Sequence, residues 1–332
     1  MEFFRGVNVN WLGYKWYFLA FSMIFSVAGI VKMSWNWSHI GSIVPLSVDF
    51  RGGTEIQVQF ASRPDLTAIR KAIDAAGITD ERVQNYGDVA ANEVLISLPR
   101  SSDETSVDTG RRQIVDALHQ HYSNPFDDNG IKVDSVGATV GQQLKAQATR
   151  AVLYSMLGML VYLWFRFQLI YGVAAVVACF HDTLITVGAF ALFNKEISLT
   201  VIAAILTLVG YSMNDTIVIF DRIRENLKLS RREPLERVMN TAVNQTLSRT
   251  VMTSGLTFLT ALALFLFGGP VLHGFSFALV CGILVGTYSS VFIASPIVLF
   301  WHNYADQRRK TAPAVAAATR TEPVRKPTKA VK

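Results

Sequence analysis

LTVIAAILTLVGYSMNDTIVIF, residues 199–220, is the stretch on which the fold turns. It is as long as the roughly 20 residues a helix needs to cross a bilayer's hydrocarbon, and its only ionisable carboxyl is Asp215. Five further runs are similarly apolar: Trp16–Val31, Ala151–Phe165, which is short but is lengthened by Thr149 and Phe167, Leu169–Phe193, Val251–Phe267 and Val271–Trp301, which is long enough for a span and an extension. Core helices of a soluble protein explain one or two such runs, but not all of them. Composition agrees: 51% of the chain is hydrophobic and 17% charged, against about 25% charge in soluble domains. The expected class is a polytopic α-helical membrane protein with six transmembrane helices.

Glu2 and Arg5 precede the first run and no small-residue cleavage site follows it, so a retained first span is expected. Cys179 and Cys281 both fall within predicted spans, which argues against a disulfide framework. Lys and Arg gather in loops that stay cytoplasmic. The 221–249 loop carries Arg222, Arg224, Lys228, Arg231, Arg232, Arg237 and Arg249, and the tail is equally basic. With six spans these segments share a side, and both termini are expected in the cytoplasm. The net charge of +6 is then a topology signal and indicates no specific nucleic acid.

The expected layout is a cytoplasmic N-terminus and first span over 1–33, an exported domain over 34–149, a five-helix region over 150–305 with a charged 221–249 connector, and a disordered basic tail over 306–332. Arg222 to Glu236 are expected as an interfacial helix, and the tail as a solvated anchor with membrane lipid as its partner. Within the exported part, Thr54–Phe60 alternates like a strand and Pro64–Ala76 has helical spacing ended by Gly77. Arg82–Tyr86 and Glu93–Leu98 are strands around a Gly87–Asp88 turn. Thr105–His121 is a helix and Ile131–Val136 a last strand. The order βαββαβ is the split βαβ, ferredoxin-like arrangement. It holds no nucleophile–base constellation, and His119 and His121 read as surface residues. Neither enzyme chemistry nor a bound metal is expected.

Ionisable groups at membrane depth are costly and mark function by default. Thr207, Tyr211 and Asp215 recur at i, i+4, i+8, with Asn214 beside them and Gly210 leaving room for a neighbour. In the fifth run Arg249, Thr253, Thr257 and Thr260 form an answering stripe. An Asp215–Arg249 pair across two helices is expected. It is either a structural ion pair with threonine glue, or a carboxylate that changes protonation as an ion crosses, tuned by Arg249. His181 and Asp182 lie mid-way along the third run. As adjacent residues they make no ready metal pair, and structural hydrogen bonding is the simpler reading. Gly282, Gly286 and Ser290 permit close helix packing, within the bundle or against a partner.

Several motifs resemble one family. Asp49-Phe50-Arg51-Gly52-Gly53-Thr54 follows the first span and Val136-Gly137-Ala138-Thr139-Val140-Gly141 precedes the second. The longest match is Gly210-Tyr211-Ser212-Met213-Asn214-Asp215-Thr216-Ile217-Val218-Ile219-Phe220-Asp221-Arg222-Ile223-Arg224-Glu225-Asn226, followed by Ser248-Arg249-Thr250. These are similar to the SecF family, the smaller membrane subunits of the bacterial SecDF protein-export complex, relatives of the proton-driven resistance-nodulation-division transporters. The resemblance runs to about residue 305. Ser47 and Ala138 depart from the family pattern, which often has Gly and Pro there.

The resemblance implies an inner-membrane subunit that pairs with SecD, assists the SecYEG channel with YajC and YidC, and acts on a translocating polypeptide. It implies no cofactor; the drive is a proton gradient, with sodium as the alternative cation. It places Asp215 and Arg249 in the ion pathway, to which Asn214 is assigned with them; Tyr211, Thr253, His181 and Asp182 are expected as supporting polar groups within the membrane, and Asp49, Arg51, Gly52 and Gly53 as a family motif with a structural or coupling role. Two rivals remain open: half of a proton-coupled small-molecule or lipid exporter, and a non-transporting scaffold for SecD.

Overall fold

The computed structural model describes residues 8–78, 81–86, 91–98, 107–230 and 233–318. Six helices are long and apolar enough to span a membrane: Trp11–Ile40, Thr139–Arg166, Leu169–Leu192, Leu199–Leu229, Leu235–Phe267 and Gly269–Ala305. All six expected spans are present, and most run past the apolar windows that revealed them.

The element order is α1 (Lys15–Ile40), α2 (Val48–Arg51), β1 (Gly53–Gln59), α3 (Leu66–Ala75), β2 (Arg82–Asn85), β3 (Glu93–Leu98), α4 (Val107–His121), β4 (Lys132–Val136), α5 (Ala138–Arg166), α6 (Leu169–Leu192), α7 (Leu199–Leu229), α8 (Leu235–Phe267), α9 (Gly269–Ser289) and α10 (Ser295–Ala318). Two expectations change. Arg222 to Glu236 do not form a separate interfacial helix, because α7 continues to Leu229 and α8 begins at Leu235. The tail expected to be disordered from 306 is helical to Ala318, as its alanines favour. The Gly87–Asp88 turn and residues 319–332 lie outside the described residues.

The domain between α1 and α5, expected to be exported and called the outer domain on that ground, is a four-stranded antiparallel sheet in the order β2-β3-β1-β4. Ile56 lies opposite Ile96 on one side and Val133 on the other, which fixes the register. β1 and β2 are parallel with β3 inserted between them, which is the split βαβ arrangement. Asp65 caps α3, accepting from the Thr67 N–H at 2.8 Å, and Gly77 at φ +78° ends it. Ile69, Ile73, Ile114 and Leu118 from the helices close over Ile56, Val58, Val83, Val94 and Ile96. Each such buried side chain contributes about 1.5–3 kcal/mol of transfer free energy, so the domain has a core of its own.

Inside a bilayer apolar side chains gain little by leaving lipid, so helices associate through small residues and polar contacts. α9 approaches α7 at Gly282, where a Cβ would fall 2.0 Å from Leu208, and at Gly286, where it would meet Ser212 Cβ at 3.1 Å. The Gly282–Gly286 spacing therefore serves packing within the bundle. α1 and α6 meet at Gly29 and Gly188, each Cβ position 3.1 Å from the other's Cα. Between α9 and α10 the chain winds a π-helical turn over Ser290–Ala294.

The outer domain and the bundle are stitched together. Leu46 and Ile197 form a parallel bridge, with Ser47 N–H donating to the Ile197 carbonyl at 3.1 Å and Ile197 N–H to that of Pro45 at 2.9 Å. Phe50, Val44 and Ile197 share one apolar cluster with Met33, Phe190 and Phe277 of the spans.

Candidate functional site

Asp215 lies on the inward face of α7 and is almost fully buried. Its Oδ2 accepts a hydrogen bond from Ser254 Oγ of α8 at 2.7 Å. The expected Asp215–Arg249 ion pair is absent among the described residues: Arg249 is exposed and forms no ion pair with Asp215. The reason is rotational. On α8 the buried stripe is Thr246, Thr250 and Ser254, one residue on from the expected Arg249, Thr253, Thr257 and Thr260. One residue is about 100° of helix, enough to take the guanidinium out of ion-pair distance, although its charge still reaches Asp215. Thr253, Thr257 and Thr260 instead donate to carbonyls of their own helix, at 2.8–3.2 Å.

The expected stripe on α7 also divides. Asp215 points inward, whereas Thr207, Gly210 and Asn214 are exposed and Tyr211 is partly buried. No neighbour comes within 4 Å of a Cβ built at Gly210. The Tyr211 hydroxyl and Thr250 Oγ1 are buried without a hydrogen-bond partner among the described residues. Buried hydroxyls are normally paired, so these two, one turn from Asp215 and from Ser254, stand out.

His181 and Asp182 sit at the centre of a second polar group. His181 Nδ1 donates to Asp182 Oδ1 at 2.9 Å. Asp182 Oδ2 accepts from Ser212 Oγ of α7 at 2.6 Å and from Ser289 Oγ of α9 at 2.8 Å. His181 Nε2 is hydrogen-bonded to Ser22 Oγ of α1. Thr216 and Ser290 pair at 3.0 Å beside them. Ser22, Ser212, Ser254 and Ser289 were not singled out from sequence. Thr246, Thr250 and Ser254 at i, i+4, i+8 offered a signal for one of them. Ser22 carried none, since its role depends on which helix lies beside α1.

The coupling motif forms the junction. Asp49 Oδ2 accepts from the Leu199 N–H, at the first turn of α7, at 2.8 Å and from Ser47 Oγ at 3.1 Å. A carboxylate suits the positive end of a helix. Gly52 has φ +72°, which only glycine adopts readily. Gly141 packs on that turn, its Cβ position 3.0 Å from Gly52 N and 3.2 Å from Phe50 O, so the two motifs flanking the outer domain touch. Arg82 Nε bridges Glu196 of the α6–α7 loop at 3.2 Å. Burial raises the Glu196 carboxyl and lowers Arg82. Glu55 is pushed up to about 7, chiefly by burial and then by the charge of Glu196.

Residues 115–304 match the family model described as protein export membrane protein SecD/SecF, C-terminal, and residues 44–62 match that of the SecD/SecF GG motif. The chain is 46% identical to the protein translocase subunit SecF of Koribacter versatilis over 94% of its own length and 96% of the relative's. It is 41% identical to that of Vibrio alginolyticus over 84% and 85%. The crystal structure of SecDF from Thermus thermophilus, described as a translocon-associated membrane protein, superposes with a TM-score of 0.78 at 34% identity. That match covers 90% of this chain and 39% of the other, so this chain spans about two fifths of that protein. A structure of SecDF in a super-membrane-facing form gives 0.67 at 33% identity, over 94% and 41%. With both motif regions, six spans and the inserted sheet domain in agreement, the chain belongs to the SecF family of protein-export membrane proteins.

Proposed function

We propose that the chain works with SecD in the bacterial inner membrane, using the proton motive force to promote movement of exported polypeptides through SecYEG. The observation that carries the reading is the course of α7. One helix holds Asp215, a buried carboxylate fastened by a single hydroxyl, and begins at Leu199, whose N–H is gripped by Asp49 of the outer junction. A charge change at Asp215 that shifts α7 therefore moves the base of the sheet domain. Tyr211 and Thr250, whose buried hydroxyls have no hydrogen-bond partner among the described residues and which lie one helical turn from Asp215 and from Ser254, are the groups to hand a proton to it.

One charge crossing 100 mV is worth about 2.3 kcal/mol. That suffices to bias a domain motion, and it is too small to unfold a domain of ordinary stability. The exposed α7 stripe of Thr207, Gly210 and Asn214, with Arg249 nearby on α8, is the face for SecD: small polar residues permit close helix approach. In this reading both termini are cytoplasmic, as the basic loops dictate. Proton coupling is favoured over sodium because Asp215 has one hydroxyl ligand where a metal ion needs several oxygens. YajC and YidC are further partners of the assembly.

The test is export of a secreted reporter in cells depleted of the native subunit, complemented with this chain or with Asp215→Asn at matched membrane levels and matched SecD association. Loss of export with Asp215→Asn is the expected result. Normal export would make Asp215 structural and the chain a scaffold for SecD.

A further inference from the structure

His181 and Asp182 are adjacent in sequence, and their side chains still meet, Nδ1 to Oδ1 at 2.9 Å. A carboxylate only accepts, so Nδ1 carries a proton whatever the state of the ring. The state is therefore decided at Nε2, which faces Ser22 Oγ of α1. With a neutral ring, Nε2 accepts from the serine hydroxyl, and the pair carries one buried negative charge. With a protonated ring, Nε2 donates to Ser22 Oγ and the pair is a neutral ion pair. Ser22 must then turn its hydroxyl outward, toward Tyr288 O–H of α9, 3.4 Å away.

We propose that His181–Asp182 is a second proton-binding site, separate from Asp215, and that Ser22 carries its state to α1. The polar groups around it come from four helices, with Thr183 and Thr186 of its own helix lining the same small cavity. On α7 they are Ser212 and, toward Ser290, Thr216; on α9 they are Ser289 and Tyr288; on its own helix, Cys179. On α1 the group is Ser22 itself. Among the described residues the only cation within ion-pair distance of Asp182 is His181. A buried carboxylate with no fixed cation takes its compensating charge from solution, and the ring beside it is the base that can accept a proton. Asp215, three residues beyond Ser212 and so about 60° round α7, takes its hydrogen bond from Ser254 of α8, so the two sites are served by different hydroxyls.

The consequence lies in α1. Ser22 meets His181 and Gly29 meets Gly188, a step of seven residues on both helices in the same direction. α1 and α6 thus run parallel with contacts two turns apart. The glycine contact is steric and insensitive to protons, whereas the serine contact reverses its hydrogen-bond polarity when the ring charges. Phe18 of α1 stacks on Phe292 within the π-helical turn, centroids 3.7 Å apart, which places that side of α1 against the segment following Ser289. Such turns recur at functional sites. α1 leads through Gly41 toward the coupling motif at Asp49, so its hold on α6 bears on the outer domain. The link to export rests on the function proposed above; proton binding itself does not.

The full chain, with histidine ring carbons isotope-labelled, would be titrated by NMR in lipid nanodiscs from pH 5 to 9. His181→Gln identifies the signal by its loss. The expected result is that the His181 signal follows pH in the native chain and stops doing so in Asp182→Asn. A static native signal, or one that titrates equally in Asp182→Asn, overturns the proposal. A second readout is the distance between spin labels at Ile40→Cys and Phe193→Cys in a Cys179→Ala, Cys281→Ala background. It should change with pH in that background and become pH-independent in His181→Gln and in Ser22→Ala, while Ser22→Ala keeps the His181 titration. If Asp182→Asn does not assemble, these distances alone decide, and unchanged pH dependence in His181→Gln refutes the site. Because neither readout needs export, a titrating His181 with export intact in Asp215→Asn would sink the proposed function and leave this site standing.

Discussion

Asp182 and Asp215 are both 3% exposed, on neighbouring helices of one bundle, and their surroundings differ. Asp182 accepts from two serines and a histidine drawn from α6, α7 and α9. Asp215 accepts from one serine of α8, and two unpartnered hydroxyls lie nearby. The first is clamped and ties three helices together. The second is held by a single hydroxyl, so replacing its carboxyl disturbs less of the packing. Equal burial therefore does not mean equal role; the number and origin of the donors separate them.

The largest test of that contrast is functional. Asp215→Asn should cut reporter export at least about tenfold while the purified chain melts within a few degrees of the native one. Asp182→Ala should do the reverse in the first instance. It strands Ser212, Ser289 and His181 in the bundle, and breaking a buried pair costs about 3–5 kcal/mol, visible as a large fall in thermal midpoint in detergent. Equal melting of the two variants would erase the distinction between the heavily and the lightly hydrogen-bonded carboxyl.

A third carboxylate, outside the membrane, sharpens it. Glu55 is raised from 4.5 to about 7 by burial and by Glu196, so its ionised form is the disfavoured one. Stability at the junction is full below pH 4.5 and is lost as pH rises through about 7. At 1.36 kcal/mol per unit the span amounts to roughly 3 kcal/mol. The full chain should melt lower at pH 8 than at pH 5, and Glu55→Gln should remove most of that difference. An unchanged pH dependence in Glu55→Gln would exclude Glu55 as its source.

Gly141→Val would press a side chain onto the backbone of Phe50 and Gly52, costing about 1–3 kcal/mol. Its signature would be faster proteolysis of the outer domain with the spans still folded. Least of all, Ser254→Ala removes the one hydrogen-bond donor to Asp215 among the described residues, a bond contributing about 0.5–1.5 kcal/mol to a neutral carboxyl. It should displace the pH optimum of export without abolishing it, and an unmoved optimum would argue that the serine only fills space.

Much of this was legible in the chain itself. The apolar runs and the βαββαβ order follow from local composition and periodicity, and the two glycine motifs from the family resemblance; the structure has all six helices, several longer than their apolar runs, and the strand order as expected. The intramembrane carboxylates were equally visible. The Asp215–Arg249 pairing was not, because a stripe on each of two helices does not say how far each is rotated toward the other. Thr246, Thr250 and Ser254 form as regular a row as Arg249, Thr253 and Thr257, and only the packing of α8 against α7 chose between them.

By itself, then, the sequence determined what lies in the membrane and which polar groups are carried there, since both follow from the cost of exposing charge and backbone to hydrocarbon. Which of those groups meet was decided by the tertiary structure alone. Ser22 lies on the first span and His181 on the third, and their contact exists because Gly29 and Gly188 let two backbones come close enough to fix the rotation of both helices.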